Sequence, residues 1–230
     1  MQDRADDLTL RVGRVNLPVR TATEIVRRYV AEPQLHDRRR AHPFDVYDAY
    51  RAEQRYQPLD QPDLLAPVLL HVQSLSVDAY RWLTGQLAPL NRALERISPD
   101  ASLMDPDPDL SPLADLFAVL DDPARDGVRM TILSKILHRK RPRMIPLWDA
   151  HSLTCYSRGE SCPVPEQRGG SRQEYALTLT RAIHADLRAG KAHWEELCAL
   201  ATGRELTELR ALDIVAWTVG RHPELAMAHP

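Results

Sequence analysis

Asp149 sits where the chemistry of its neighbours converges. It closes the stretch GVRMTILSKILHRKRPRMIPLWDAHS, Gly127 to Ser152, in which a basic amphipathic segment leads through a Pro-bounded apolar connector to an acid. A carboxylate at the start of a helix is oriented and held ionised by nearby N–H groups, which suits it to stabilise a developing cation or to activate water. Plain helix capping is the commoner use of Asp at such a position, and the two roles are compatible. Lys135, Arg139, Lys140, Arg141 and Arg143 precede it and by charge are candidates for phosphate contacts. A basic helix end also complements the partial negative charge of the last carbonyls, so this cluster has a purely structural reading as well.

The elements that must position these groups follow from periodicity and punctuation. A helix over Val128 to Lys140, stepping about 100° per residue, gathers Val128, Ile132, Leu133, Ile136 and Leu137 on one arc. Thr131, Ser134, Lys135 and His138 fall opposite, as a polar face free to bind. Pro142 ends that helix, and Asp149 opens the next, AHSLTCY. Upstream, Thr21 and Glu24 have capping-box spacing for a helix through Val30. His42 to Arg55 brings Phe44, Tyr47 and Tyr50 to one side, with Asp48 beside them. Ser76 caps a helix through Ile97 that Pro89 kinks or divides. The Pro- and Asp-rich run Ser98 to Pro112 reads as an exposed connection and a boundary between lobes.

Beyond it, LADLFAVL is a short helix and Asp121 to Gly127 a turn. Cys155 to Arg172 lacks periodicity and reads as a mobile loop. Helices follow around Gln173 to Leu187, Ala192 to Ala201 and Glu205 to Val219, with Gly190 and Gly203 as stops. LTLRVGRVNL is a weakly patterned candidate hairpin.

Thirty basic against thirty-two acidic side chains in 230 residues leave no global charge to attract nucleic acid, so a local patch must carry that role. An odd cysteine count and a start without an apolar signal core fit a cytoplasmic location, and no run is long enough for a membrane span. Cys155 and Cys162 have the spacing of an iron–sulfur pair without the remaining ligands, and His151 with the two cysteines makes an incomplete zinc set. No metal or cofactor is expected. Asp213 lies on the apolar face of its helix, which favours a buried ion pair with an Arg over a second acid beside Asp149. Tyr47, Tyr50, Tyr80, Trp82 and Trp148 read as core first and as a base-stacking pocket second.

The run Gly127-Val128, the apolar helix, Pro142 and then Pro146-x-x-Asp149-x-His151 resembles the signature segment of the helix-hairpin-helix DNA glycosylase superfamily. The resemblance covers about thirty residues well and the flanking helices only in general character. It implies a hairpin at Gly127, Val128 and Arg129 whose N–H groups take a DNA phosphate, a base flipped between two helical lobes, and Asp149 as the catalytic carboxylate. His151 and Asp213 would be supporting residues. Arg129 replaces the second hairpin glycine, and Thr131 stands where bifunctional members carry a Schiff-base lysine, so lyase chemistry is not expected. The whole chain, through YDAY, DLLAPVLL and ILHRKRPRMIPLWD, also resembles a small uncharacterised bacterial family that would keep this architecture.

The expectation is therefore a mostly α, two-lobed helical bundle of the glycosylase type with a short N-terminal β element. The lobes would be residues 1–110 and 111–230. The function expected is DNA binding with Asp-dependent hydrolysis of a modified base's N-glycosidic bond. The alternative is a non-catalytic helical module that binds nucleic acid or an acidic protein.

Overall fold

A computed structural model describes residues 8–31, 44–70, 72, 75–125, 127–167, 169–203 and 205–226. Among these, ten α-helices and one two-stranded sheet make the fold mostly α. No described helix is long and apolar enough to cross a membrane. The chain divides into two compact units, each discontinuous in sequence. The first comprises Met1–His42, Asp149–Gln167 and Leu179–Pro230, the second Pro43–Trp148 and Arg168–Thr178. The connection at 98–112, read from sequence as a boundary at residue 110, falls inside the second unit. It is anchored there because Leu103 is fully buried and its N–H donates to the Arg143 carbonyl at 2.9 Å.

In the first unit, β1 (Thr9–Val12) and β2 (Val15–Pro18) pair antiparallel with Leu10 opposite Leu17. This is the hairpin expected from the sequence, and Gly13 at φ +63° supplies its turn. It is fastened from a distance. The buried Asp186 accepts from the Gly13 N–H at 2.6 Å, from the Tyr156 hydroxyl at 2.9 Å and from the Arg11 guanidinium. Helix α1 (Val19–Val30) begins directly at Pro18, so Thr21 lies inside the helix and caps nothing. Glu24 pairs instead with Arg27 and Arg28 on the exposed face. Ala22, Ile25, Val26 and Tyr29 form the buried stripe.

The second unit opens with α2 (Phe44–Tyr47), shorter than the sequence suggested because Arg51 adopts a left-handed conformation at φ 52° and ends the helical run. Of the segment expected there, His42 and Pro43 and the Phe44 side chain lie outside the description. An apolar 3-10 stretch, Gln61–Leu70, follows. Ser76 does cap the next helix, accepting from the Ala79 N–H at 3.0 Å. The helix divides at Gln86 into α3 (Val77–Gly85) and α4 (Leu87–Glu95), upstream of Pro89, whose missing donor and ring cannot follow the preceding turn. Next come α5 (Ser111–Ala118), which packs on α4, and α6 (Met130–Leu137), which packs on the 3-10 stretch.

The remaining helices are α7 (Ser152–Tyr156), α8 (Arg172–Ala189), α9 (Lys191–Cys198) and α10 (Glu208–Arg221). Helix α10 is the spine of the first unit. It is buried along Leu209, Leu212, Ile214, Val215 and Val219, is capped by Thr207, and packs on α1, α7 and α9. The segment read as a loop from Cys155 starts within α7 and buries Val164, whose N–H donates to the Tyr156 carbonyl at 3.1 Å.

Candidate functional site

In the second unit, Gly127 stands exposed at φ +73°, a conformation that costs other residues about 1–2 kcal/mol. A Cβ there would meet nothing within 4 Å, so the backbone angle alone calls for glycine. Val128 is fully buried and donates its N–H to the Arg125 carbonyl at 2.9 Å. Arg129 is exposed and, with extended backbone, serves as the entry residue of α6. A helix, a turn and a second helix therefore do occupy 111–137, with the left-handed glycine in the turn.

Helix α6 has no solvent face. Ile132, Leu133, Ile136 and Leu137 are buried as periodicity required, but so are Ser134, Lys135 and His138, and Thr131 is half-buried. The polar side expected to bind a ligand is covered by the chain around Tyr47 and by the stretch from Ile145 to Trp148. The Tyr47 hydroxyl donates to the Lys135 carbonyl at 2.6 Å, and Trp148 N–H donates to Ser134 Oγ at 3.1 Å.

The basic cluster is likewise interior. Lys140 Nζ lies 2.6 Å from Asp63 Oδ2 and donates to the Gln54 carbonyl at 3.1 Å. Arg141 donates to the carbonyls of Ile97 at 2.8 Å and Leu94 at 3.1 Å, neutralising the C-terminal end of α4. Arg139 donates to the Tyr47 carbonyl at 2.6 Å and lies over the Tyr50 ring at 4.8 Å. Burial pulls the pKa of both arginines below the usual guanidinium range. Of the cations read from sequence as phosphate contacts, Lys135, Arg139, Lys140 and Arg141 are inside, and Arg129 and Arg143 are exposed. Arg139 lines a cleft with Tyr47, Asp48, Arg55, His138 and Pro142 that has room for about one water molecule.

Asp149 belongs to the first unit. It is half-buried; its Oδ1 accepts from His151 N–H at 3.1 Å, and its own N–H donates to Ser152 Oγ at 2.9 Å. The carboxylate thus closes the turn that leads into α7, whose N-cap residue is His151. His151 meets the edge of Trp217 at 5.8 Å between ring centroids, and Arg221 lies 5.2 Å over the same indole. Gly220 packs beneath this entry so closely that a Cβ would sit 2.0 Å from the His151 carbonyl oxygen.

Asp213 has the arginine partner that its apolar position demanded, Arg210, which also donates to the Tyr29 hydroxyl at 3.0 Å. Cys155 donates to the Ala216 carbonyl at 3.5 Å, and burial pushes its thiol up to about 11. Among the described residues no three His, Cys, Asp or Glu side chains gather as metal ligands. Of the aromatics, Trp148 packs on Phe117 at 4.7 Å between centroids, a core contact.

Two buried carboxylates went unnoticed in the sequence. Asp63 lies in the apolar run QPDLLAPVLL and Asp186 on the Leu179, Ile183, Leu187 side of α8. An acid embedded in an apolar pattern is the signal that would have found both.

No curated protein and no solved structure matches the chain. One sequence family does, and the matched region runs from within α1 to the end of α10, taking in every element that positions Asp149 and the basic cluster. Over residues 22–220 the chain matches DUF6308, a family of unknown function, and it belongs to that family.

Proposed function

We propose that this protein is a glycosylase-like DNA-binding protein in which Asp149 promotes hydrolysis of an N-glycosidic bond without a covalent lysine intermediate. The observation that carries the reading is the Asp149 carboxylate, half-buried and aimed by the His151 N–H at the mouth of α7, after a helix–turn–helix whose turn holds a left-handed Gly127. Such a carboxylate stabilises the sugar cation that develops as the C1′–N bond breaks. Water then bonds to C1′ and gives up a proton, while the base leaves with the bonding electron pair and is protonated. Gly127, Arg129 and Arg143 are the exposed groups of this segment for backbone phosphate.

A second reading is a non-catalytic module that binds nucleic acid or an acidic protein. It is supported by the use of the Asp149 carboxylate in the turn before α7, and Arg129 and Arg143 are the exposed cations of this segment for such a partner. The two part on one experiment. Duplexes carrying deaminated, oxidised or alkylated bases are incubated with wild type and Asp149→Asn, and abasic sites are read by alkaline cleavage. Product from wild type and none from the variant, with equal DNA binding, supports the enzyme. Salt-dependent binding without product from either supports the module. Absence of any salt-dependent binding sinks both DNA readings.

A further inference from the structure

The exposed cations of the basic segment, Arg129 and Arg143, belong to the second unit, whereas Asp149 belongs to the first. A strand that presents a sugar to Asp149 needs a contact on the same unit, because a carboxylate acts only on an atom held against it. The surface beside Asp149 is set by the crossing of α7 and α10. Gly220 is its closest point: a Cβ there would stand 2.0 Å from the His151 carbonyl oxygen. The Thr154 hydroxyl donates to that carbonyl at 2.6 Å and lies 3.4 Å from the Gly220 carbonyl, which ties the two helices together. The close crossing brings His151, two residues after Asp149, against the indole of Trp217, one turn before Arg221 on α10.

Arg221 is exposed at the end of α10. Its guanidinium does not serve the last carbonyls of the helix, the ordinary use of a cation there. It lies back over the Trp217 ring, 5.2 Å from the centroid, and among the described residues no carboxylate or carbonyl takes its N–H groups. Glu224, the nearest acid after it in sequence, faces His222 Nδ1 at 3.2 Å. Arg139 and Arg141 differ on both counts, since they are interior and donate to carbonyls. Stacking on an indole fixes the guanidinium plane and leaves its in-plane donors open, so the fork is pre-organised for two oxygens on one centre. The two non-bridging oxygens of a phosphodiester are such a pair.

We propose that Arg221, stacked on Trp217, is the phosphate contact of the first unit and grips the backbone of the strand whose sugar Asp149 faces. Trp217 is its positioning residue. This contact rests on the DNA-binding reading above and gives it a cation on the unit that holds the acid.

The test is fluorescence anisotropy of a labelled duplex containing a reduced abasic site, titrated with the full chain over a series of sodium chloride concentrations. Each neutralised phosphate contributes about 0.9 to the slope of log affinity against log salt. Arg221→Gln should therefore lower the slope by about one and weaken binding by about tenfold at low salt. Trp217→Leu keeps the charge but frees the guanidinium, so it should weaken binding with little change of slope, and Trp217→Phe, which keeps a ring beneath Arg221, should restore most of the affinity. Arg181→Gln removes another exposed cation of the same unit and should change neither quantity. Wild-type affinity and slope in Arg221→Gln, or an equal loss in Arg181→Gln, overturns the contact, and Trp217→Leu that binds as wild type overturns the positioning role. A wild type without salt-dependent binding overturns the DNA reading itself, and the contact falls with it. Abasic product is a separate readout: binding that depends on Arg221 without base release upholds the contact and removes only the glycosidic chemistry.

Discussion

Lys140 Nζ and Asp63 Oδ2 lie 2.6 Å apart with both side chains almost wholly buried, which makes the most conspicuous basic residue of the sequence an interior ion. The pair is asymmetric. Asp63 also accepts from Arg51 Nε at 3.1 Å and from Asp60 N–H at 3.1 Å, while Lys140 has the Gln54 carbonyl. Removing the acid strands the buried Lys140, while Arg51 keeps Asp60; removing the lysine leaves the acid with Arg51. Asp63→Asn should therefore cost about 3–5 kcal/mol, and Lys140→Met distinctly less, in urea unfolding. Equal losses would show that Arg51 contributes nothing to holding Asp63.

Burial pushes the Asp63 carboxyl up, but the Lys140 ammonium and the Asp60 N–H outweigh it, leaving its pKa below the usual carboxylate range. Asp186 has the opposite balance, with burial prevailing over the Gly13 N–H, Arg11 and Tyr156, so its pKa is raised. The two acids should leave opposite marks on acid stability. The contribution of Asp63 is full above the unfolded value of about 3.9 and is lost as pH falls below it. That of Asp186 is full below about 3.9 and is lost as pH rises through its higher folded value. In melts at stepped pH, the deficit of Asp63→Asn relative to wild type should shrink in acid, and that of Asp186→Asn should grow. Parallel curves for wild type and both variants would refute the assignment.

Local elements were legible where local chemistry decides them. Ser76 caps its helix, Gly13 turns its hairpin, and the apolar arc of α6 is buried as spacing required. The role of the other α6 face was not legible, because its cover comes from far away in sequence: Tyr47 on Lys135, Arg139 on Tyr47, and Asp63 on Lys140. A helix end rich in Arg and Lys has the same local pattern whether water or backbone carbonyls receive its donors. The division into the two compact units was not legible for a related reason. A Pro- and Asp-rich run looks like a linker, but a single apolar residue, Leu103, ties it to the interior. Asp149 was legible as a helix-entry acid, and its local bond to His151 N–H is the kind of contact that sequence spacing predicts.

Gly220 lies on α10 where the α7 entry crosses closest. A Cβ would stand 2.0 Å from the His151 carbonyl oxygen and 2.7 Å from Thr154 Oγ1, and the nearest of these is backbone that cannot swing aside. Ala in a helix gains about 1 kcal/mol over Gly, whereas forcing atoms into a packed interior costs about 1–3 kcal/mol. Gly220→Ala should be net destabilising, by up to roughly 2 kcal/mol, in thermal or urea unfolding. A neutral or stabilising result would mean that the α7 entry is free to move away from α10.

Asp149 separates a structural from a chemical role through the choice of replacement. Asn presents the same carbonyl oxygen to the His151 N–H, so Asp149→Asn should leave the melting temperature nearly unchanged. Ala removes the acceptor and should cost about 1 kcal/mol, a drop of about 2–4 °C for a chain of this size. If Asp149 acts in catalysis, both variants lose base release alike, because neither supplies a negative charge to the sugar cation. If it serves only the helix entry, Asp149→Asn behaves as wild type in every assay and Asp149→Ala is merely less stable. Measured together, melting temperature and abasic-site formation place Asp149 in one role or the other, and a loss of product in Ala that Asn restores would exclude the carboxylate as the catalytic group.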